Sequence, residues 1–295
     1  MSEKKNGKKA EYYPGALTIA GSDSGGGAGI QADLRTFNAL GVFGCAAVTA
    51  VTAQNPACVT RIDPIPAAGV AAQIDAVMER IAVRCAKTGM LFTAENVRAV
   101  AAAVKRHKLK LICDPVMVST SGHRLMEEEA LKAMKEELLP LAAWITPNLP
   151  EGEFLLGKKL RSSADYAGAA RELAGLFHTN VLLKGGHDDR GKSAVDYVCC
   201  KGELCTLSAP RLKLPPYAAH GTGCTLSAAM AALTALDFPW RDMLREAKAF
   251  VFGSLREHVE IGAGVSAMYP PVEDSLDQIV FAGVPGKAPE GRGRK

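Results

Sequence analysis

The chain has 295 residues, of which 48% are hydrophobic and 22% charged, enough apolar material for a sizeable core and too much for a disordered or low-complexity class. The formal charge is only +4, and much of it sits in the end segments MSEKKNGKKAEYYPG and GKAPEGRGRK, which argues for solvated tails and against a nucleic-acid partner. No apolar run reaches transmembrane length and no apolar signal core opens the chain, so a soluble, cytoplasmic protein with no membrane partner is expected.

In chain order, ALTIAG (16–21) is expected to be a strand, and a glycine-rich turn leads from it into the helix GIQADLRTFNAL. CAAVTAV (45–51) is the next strand and runs into TAQN; AAGVAAQIDAVMERI has the 3.6-residue spacing of a helix, and CAKTGM is a short strand. TAENVRAVAAAVKRHK is a helix with start signals at Thr93 and Asn96, and LKLICDPV is a buried strand entering a proline turn. EEEALKAMKEELLP is an amphipathic helix with acids in its first turn; WITPN, the helix SSADYAGAARELAGLF and the strand NVLLKGG follow. This alternation implies a mostly parallel sheet with helices on both faces, whose ligands bind beyond the C-terminal strand ends.

At residue 193 the rhythm changes: SAVDYVCCKGELCTLSAPRLKL alternates and turns at Lys201–Gly202, the pattern of a hairpin. Two helices follow, GTGCTLSAAMAALTAL, apolar nearly all round and hence buried, and WRDMLREAKAFVFGSLREHVEI. Three of the eight cysteines cluster in CCKGELC without the second ligand pair that a zinc site needs, so they are expected to be buried strand thiols. No linker or repeat divides the chain, which gives a basic tail over 1–14, one domain over 15–271 and a flexible tail over 272–295.

GHDDRGKS (186–193) fits the P-loop pattern letter for letter, but a strand-like AVDYVCC follows where a helix must open, and Asp188 and Asp189 would repel phosphate. HGTGCTLSAA (220–229) is a better anion site. Thr222 can cap the helix, the N–H groups of Gly221 to Cys224 can cradle negative charge, and a cysteine at a helix N-terminus is expected to be acidic. The same cysteine could equally be a small buried thiol packed under the helix. Gln54, at a strand end, can offer a donor and an acceptor together to an aminopyrimidine edge. Asp114, and Asn148 with Glu151 in an N-x-x-E pattern, supply oxygen ligands suited to Mg²⁺, although N-x-x-E is also a helix-start cap. Lys184 stands at a strand end, where it can reach a phosphate or snorkel. Asp33 falls within the first helix, and on composition alone is a solvated residue; His187 and His220 are expected to be loop residues.

Taken together, AGSDSGGGAGIQADLRTFNALGVFG, AVTAQN, KTGML, DPVM, ITPNLPE, LLKGGH and HGTGCTLSAA resemble, in order from about residue 16 to about 260, the hydroxymethylpyrimidine/phosphomethylpyrimidine kinases of the ribokinase superfamily. Other ribokinase-like kinases usually carry Asp where this chain has Cys224. The resemblance implies a three-layer αβα sandwich, ATP and Mg²⁺, a homodimer, and a pyrimidine alcohol or its monophosphate as acceptor. Gln54 is similar to the residue that binds the pyrimidine, and Gly21, Ala28, Asp33, Met90 and Val116 resemble the residues lining its pocket. Lys184 is similar to the lysine on the ATP phosphates. Asn148 and Glu151 resemble the Mg²⁺-organising pair, with Asp114 nearby; Gly221, Thr222 and Gly223 resemble the anion hole, and Cys224 the catalytic residue. GAGVSAMYPP (262–271) departs from the family's Gly-Pro-rich segment. Pyridoxal kinases share the cysteine and are the alternative, with a non-catalytic ligand sensor on the same fold as a third reading.

Overall fold

The structure is a computed structural model describing residues 12–117, 126–186 and 191–284. Strand and helix alternate as β1 (Gly15–Asp23), α1 (Gly29–Ala39), β2 (Phe43–Asn55), β3 (Cys58–Pro64), α2 (Ala67–Arg80), β4 (Val83–Thr88), α3 (Ala94–His107), β5 (Leu111–Cys113), α4 (Glu128–Ala133), β6 (Trp144–Ile145), α5 (Leu149–Leu156), α6 (Ser163–Phe177) and β7 (Asn180–Leu183). The hairpin β8 (Ser193–Cys200) and β9 (Glu203–Pro210) follows, then α7 (Thr222–Ala235), α8 (Trp240–Arg256), a small hairpin β10 (Val259–Gly262) and β11 (Val265–Ala267), and β12 (Val280–Gly283). Ten strands form one sheet in the order β12-β9-β8-β7-β6-β5-β4-β1-β2-β3. The run from β7 to β2 is parallel; β3, β8, β9 and β12 pair antiparallel.

Each face of the sheet has its own core. Leu17 and Ile19 of β1 pack with Ile74 of α2, Val97 of α3 and Leu173 of α6. Ala16 of β1 packs on the other side with Phe37 of α1, Met230 of α7 and Leu244 of α8. Successive β1 residues thus feed opposite layers, as a strand buried on both faces must, and the result is the expected three-layer αβα sandwich. α7 is buried along almost its whole length. The chain goes from β1 to β2 on one side and builds β4 to β7 on the other, so the order reverses beside β1. Ligands of open α/β sheets bind above such a switch point.

Several boundaries differ from the sequence expectation. β2 runs on to Asn55 and turns back as β3, whose mostly exposed side chains give no apolar alternation to detect. The helix expected over EEEALKAMKEELLP changes winding, with a π turn at Met134–Leu138 and a 3₁₀ turn at Leu139–Leu141. The segment from 272 that was expected to be a flexible tail carries an edge strand, Val280–Gly283, paired with β9. Residues 1–11 of the expected N-terminal tail, residues 285–295 of the C-terminal one, and His187, Asp188 and Asp189 of the P-loop-like string lie outside the described residues. Strand β8 begins at Ser193, where a P-loop would require a helix. Cys199, Cys200 and Cys205 are buried strand thiols. Among the described residues no helix is long and apolar enough to cross a membrane.

Candidate active site

Strand ends and one helix mouth build the site. Gly21 and Asp23 close β1, Gln54 lies near the end of β2, and Asp114, Asn148 and Lys184 follow β5, β6 and β7. Above them α7 begins. Its N-cap is Gly221, at φ +84°, with Thr222 already the first helical residue, so the cap expected of Thr222 belongs to the glycine. The left-handed φ and the space both demand it: a Cβ on Gly221 would lie 1.9 Å from the Gly27 carbonyl oxygen. The Gly27 loop is tight in turn, since a Cβ there would come within 2.5 Å of the His220 ring. The glycine-rich turn after β1 and the mouth of α7 therefore interlock through backbone.

At one end of this mouth lies an electrostatic pole. Lys184 Nζ donates to Asp114 Oδ1 at 2.8 Å, with the lysine side chain 15% exposed and the aspartate 2%. A Cβ on Gly223 would stand 3.2 Å from Lys184 Nζ, so the α7 amides and the ammonium face one space. Burial opposes the Lys184 charge, but Asp114 and Glu151 hold its pKa above the usual lysine range. Asn148 and Glu151 form a complete capping box on α5: Asn148 Oδ1 accepts from the Glu151 N–H at 2.9 Å, and Glu151 Oε2 accepts from the Asn148 N–H at 2.8 Å. Glu151 Oε1 accepts from the Met117 N–H at 3.2 Å. Burial pushes Glu151 up, with Lys184 opposing and Asp114 adding to the shift. Among the described residues Asp114 Oδ2 has a long 3.4 Å contact from Ser227, and each Glu151 oxygen accepts one hydrogen bond. Two hard carboxylates beside a phosphate space fit Mg²⁺, which takes one or two carboxylates and completes its shell with water and phosphate oxygens.

Beneath the mouth is a second lysine–aspartate pair that the sequence did not reveal. Lys87 Nζ donates to both oxygens of Asp33, at 2.9 and 2.8 Å, and Thr18 Oγ1 donates to Asp33 at 2.6 Å. Both charged side chains are 0% exposed, so Asp33 is neither solvated nor a wall of an open pocket. Burial works against the Lys87 ammonium, yet Asp33, with Cys224 and Asp114 beyond it, holds its pKa above the ordinary value. Cys224 is half-buried, and the Gly29 N–H at the start of α1 favours its thiolate. Its expected acidity is overturned: burial pushes the thiol up, Asp33 and Asp114 add to that, and Lys87 only partly opposes them. A helix N-terminus alone favours thiolate, but here two buried carboxylates share the cavity.

At the other end lies a small apolar cluster beside Gln54. Ala50 and Met90 form an apolar wall with Ile62 of β3 and Val116 packed against it. Gly21 is pressed on it, for its Cβ would fall 2.5 Å from Met90 Cε. Val116 holds φ +33°, a costly conformation for a β-branched residue. Ala28, the N-cap of α1, donates its N–H to Asp23 Oδ2 at 2.8 Å. Gln54 is fixed by its backbone: its N–H donates to Ser24 Oγ, and that hydroxyl donates back to the Gln54 carbonyl, both at 2.8 Å. Its side-chain oxygen Oε1 lies 3.0 Å from Thr52 Oγ1 and its Nε2 3.4 Å from His220 Nε2. His220, expected to be a plain loop residue, pairs with Asp23 at 3.0 Å. Of the predicted site residues, Gln54 is tied to the mouth of α7 through His220, and Lys184 and Asp114 lie against Gly223, while Asp33 is sealed beneath. The signals that were missed, Asp23, Lys87 and His220, all sit inside the quoted motifs GSDSGGG, KTGM and HGTGC.

A sequence profile of the phosphomethylpyrimidine kinase family matches residues 23–269. The chain is 44% identical over 254 residues to a hydroxymethylpyrimidine/phosphomethylpyrimidine kinase of Rhizobium meliloti (strain 1021), a match that covers 84% of this chain and 94% of that protein. Among solved structures it resembles the phosphomethylpyrimidine kinase of Clostridium difficile 630, with TM-score 0.71 and 37% identity over 80% of this chain and 97% of that one. It also resembles the pyridoxal kinase of Staphylococcus aureus in complex with AMP-PCP and pyridoxal, with TM-score 0.82 and 29% identity over 93% and 100% of the two chains.

Proposed function

The chain belongs to the phosphomethylpyrimidine kinase family, and from that premise we propose that it moves the γ-phosphoryl group of ATP first to the hydroxymethyl group of 4-amino-5-hydroxymethyl-2-methylpyrimidine and then to the resulting monophosphate. It is a phosphotransferase, as its named relatives are. One observation carries the reading: the five residues His220 to Cys224 reach both poles, His220 touching Gln54 and Asp23, Gly223 facing Lys184 and Asp114. A molecule bound at the ring pole thereby presents its substituent to the phosphate pole.

In this mechanism Gln54 reads the amino group and ring nitrogen, and Gly21, Ala28, Met90 and Val116 hold the ring. Lys184 leaves Asp114 for the phosphates, and the N–H groups of Gly221, Thr222 and Gly223 stabilise charge on the moving group. Asn148, through its cap, fixes Glu151, and Asp114 with Glu151 would hold Mg²⁺, which supplies charge neutralisation to the phosphates when bound. Cys224 orients the hydroxyl and takes its proton late. The loose transition state of phosphoryl transfer asks for little base, and the phosphate acceptor of the second step asks for none. A homodimer in the cytoplasm is part of the same proposal; the exposed Phe43 and Val51 of β2 support the dimer, and sedimentation measures it.

The likeness in fold to a pyridoxal kinase favours a second reading, the same chemistry on a pyridine alcohol. ADP release with the pyrimidine alcohol, its monophosphate and pyridoxal in parallel separates the two. Turnover of pyridoxal with neither pyrimidine accepted would falsify the first reading.

A further inference from the structure

An amide has two ends of nearly equal shape, so its partners decide which end points where. At Gln54 two independent chains of hydrogen bonds make that decision. On one side the amide is placed with its oxygen 3.0 Å from Thr52 Oγ1, which leaves one hydroxyl proton between two acceptors. Thr52 has a single hydroxyl proton, and the Ser22 carbonyl, 2.9 Å away and an acceptor only, takes it. Toward Gln54 the hydroxyl is left with lone pairs, which suit an N–H. On the other side the amide meets His220 Nε2 at 3.4 Å, and this nitrogen lies 3.0 Å from Asp23 Oδ2. Asp23 is a carboxylate: against its burial, the His220 bond and the N–H groups of Ala28 and Gly25 hold its pKa below the ordinary value. A carboxylate only accepts, so Nε2 carries a hydrogen whether the ring is neutral or cationic. That hydrogen goes to Asp23, so what Gln54 meets at 3.4 Å is the positive edge of a protonated nitrogen without a lone pair, which suits an oxygen better than an NH₂. Both sides favour the same orientation, the amide turned end for end from its placed one.

We propose that Thr52 and the His220–Asp23 pair lock the Gln54 amide with its NH₂ on Thr52 and its oxygen on His220, and that this lock selects an aminopyrimidine over the matching oxopyrimidine. The inference rests on the pyrimidine reading above. An aminopyrimidine edge shows an acceptor nitrogen beside a donor amino group; the oxo form shows a donor N–H beside an acceptor carbonyl. A free amide serves either by turning over. Here turning over sets NH₂ against the imidazole N–H and oxygen against the hydroxyl lone pairs, two repulsions at once. The backbone cannot yield, because Ser24 holds it on both sides. The ring cannot turn instead, because its hydroxymethyl arm must meet Cys224. Thr52, His220 and Asp23 are positioning residues that act through Gln54.

Two measurements test this. In an NMR spectrum of the full chain, with Gln54→Glu identifying the signal by its loss, the Gln54 amide protons should cross-relax with the Thr52 methyl group; contact with the His220 ring protons instead overturns the lock. In kinetics, the wild-type kcat/KM for the aminopyrimidine alcohol should exceed that for its 4-oxo analogue by roughly 10- to 100-fold. Thr52→Val, which keeps shape and removes the hydroxyl, should cut that ratio to within about threefold, while Thr52→Ser should restore it. An unchanged ratio in a folded Thr52→Val protein overturns the selectivity claim. A wild-type protein that turns over neither pyrimidine defeats the pyrimidine reading and the selectivity with it, and the amide protons still decide the lock.

Discussion

Two lysine–aspartate pairs flank the mouth of α7, and they differ in one respect. Lys87–Asp33 and Lys184–Asp114 both close to 2.8 Å, but the first is 0% exposed on both sides while the Lys184 side chain is 15% exposed. Identical chemistry therefore serves two ends. A pair sealed from water has nothing to exchange with and is permanent. A pair whose cation still touches solvent can exchange its carboxylate for the oxygens of a ligand. The sealed pair sets the field in which Cys224 sits; the open one is the part that, in the proposed mechanism, a nucleotide displaces.

The largest effect is expected from breaking the sealed pair. Lys87→Met leaves Asp33 buried and unpaired, which should cost about 3–5 kcal/mol of stability, read by urea denaturation. Lys87→Met with Asp33→Leu should recover most of that loss, since apolar replacements of buried pairs are often near neutral. If the double variant is as unstable as the single one, the pair is not the sealed unit described here. At the open pair the balance shifts: Lys184→Met should cost less stability than Lys87→Met, because the lysine it removes still reaches water, and should lower kcat by roughly 10²–10³, the scale of one lost charge-stabilising donor. A stability loss in Lys184→Met as large as that in Lys87→Met would erase the contrast between the pairs.

Cys224 lies between the two, and its pH dependence sharpens the comparison. A base works only when deprotonated, and an ordinary thiol titrates near ~8.5. Burial beside Asp33 and Asp114 raises this one, so kcat for the alcohol should go on rising with pH beyond roughly 8.5 rather than levelling near neutrality. The limb should vanish in Cys224→Ala, with a loss of about 10²-fold or more for the alcohol and much less for the already anionic monophosphate. A plateau by neutral pH would restore the acidic thiol that the helix N-terminus suggested.

What was legible in the sequence follows the range of the interactions. The strand–helix alternation, the Lys201–Gly202 turn and the strand-end positions of Gln54, Asp114 and Lys184 are local, and the structure has them where the pattern put them. Lys87 and Asp33 are 54 residues apart, and His220 and Asp23 are 197 apart. Each looks like an ordinary polar residue until the sheet closes and joins it to its partner. The Cys224 pKa failed for the same reason, since its helix is visible in the chain but the carboxylates that outweigh the helix are not. β3 and β12 escaped because exposed edge strands carry little apolar alternation.

The smallest effect comes from comparing two helix caps. Thr93 caps α3 by accepting from the Asn96 N–H, and Asn148 caps α5 by accepting from the Glu151 N–H. Replacing either with alanine should cost about 1 kcal/mol of stability, the ordinary value of an N-cap. The caps differ in what they fix. The Asn148 box holds Glu151, a carboxylate that neighbours Lys184 and Asp114, whereas the Thr93 cap holds only its own helix. Asn148→Ala should therefore raise the KM for ATP and the Mg²⁺ concentration needed for half-maximal rate, and Thr93→Ala should change neither. Equal kinetics in the two variants at equal stability would mean that N-x-x-E in this chain is a helix start and nothing more.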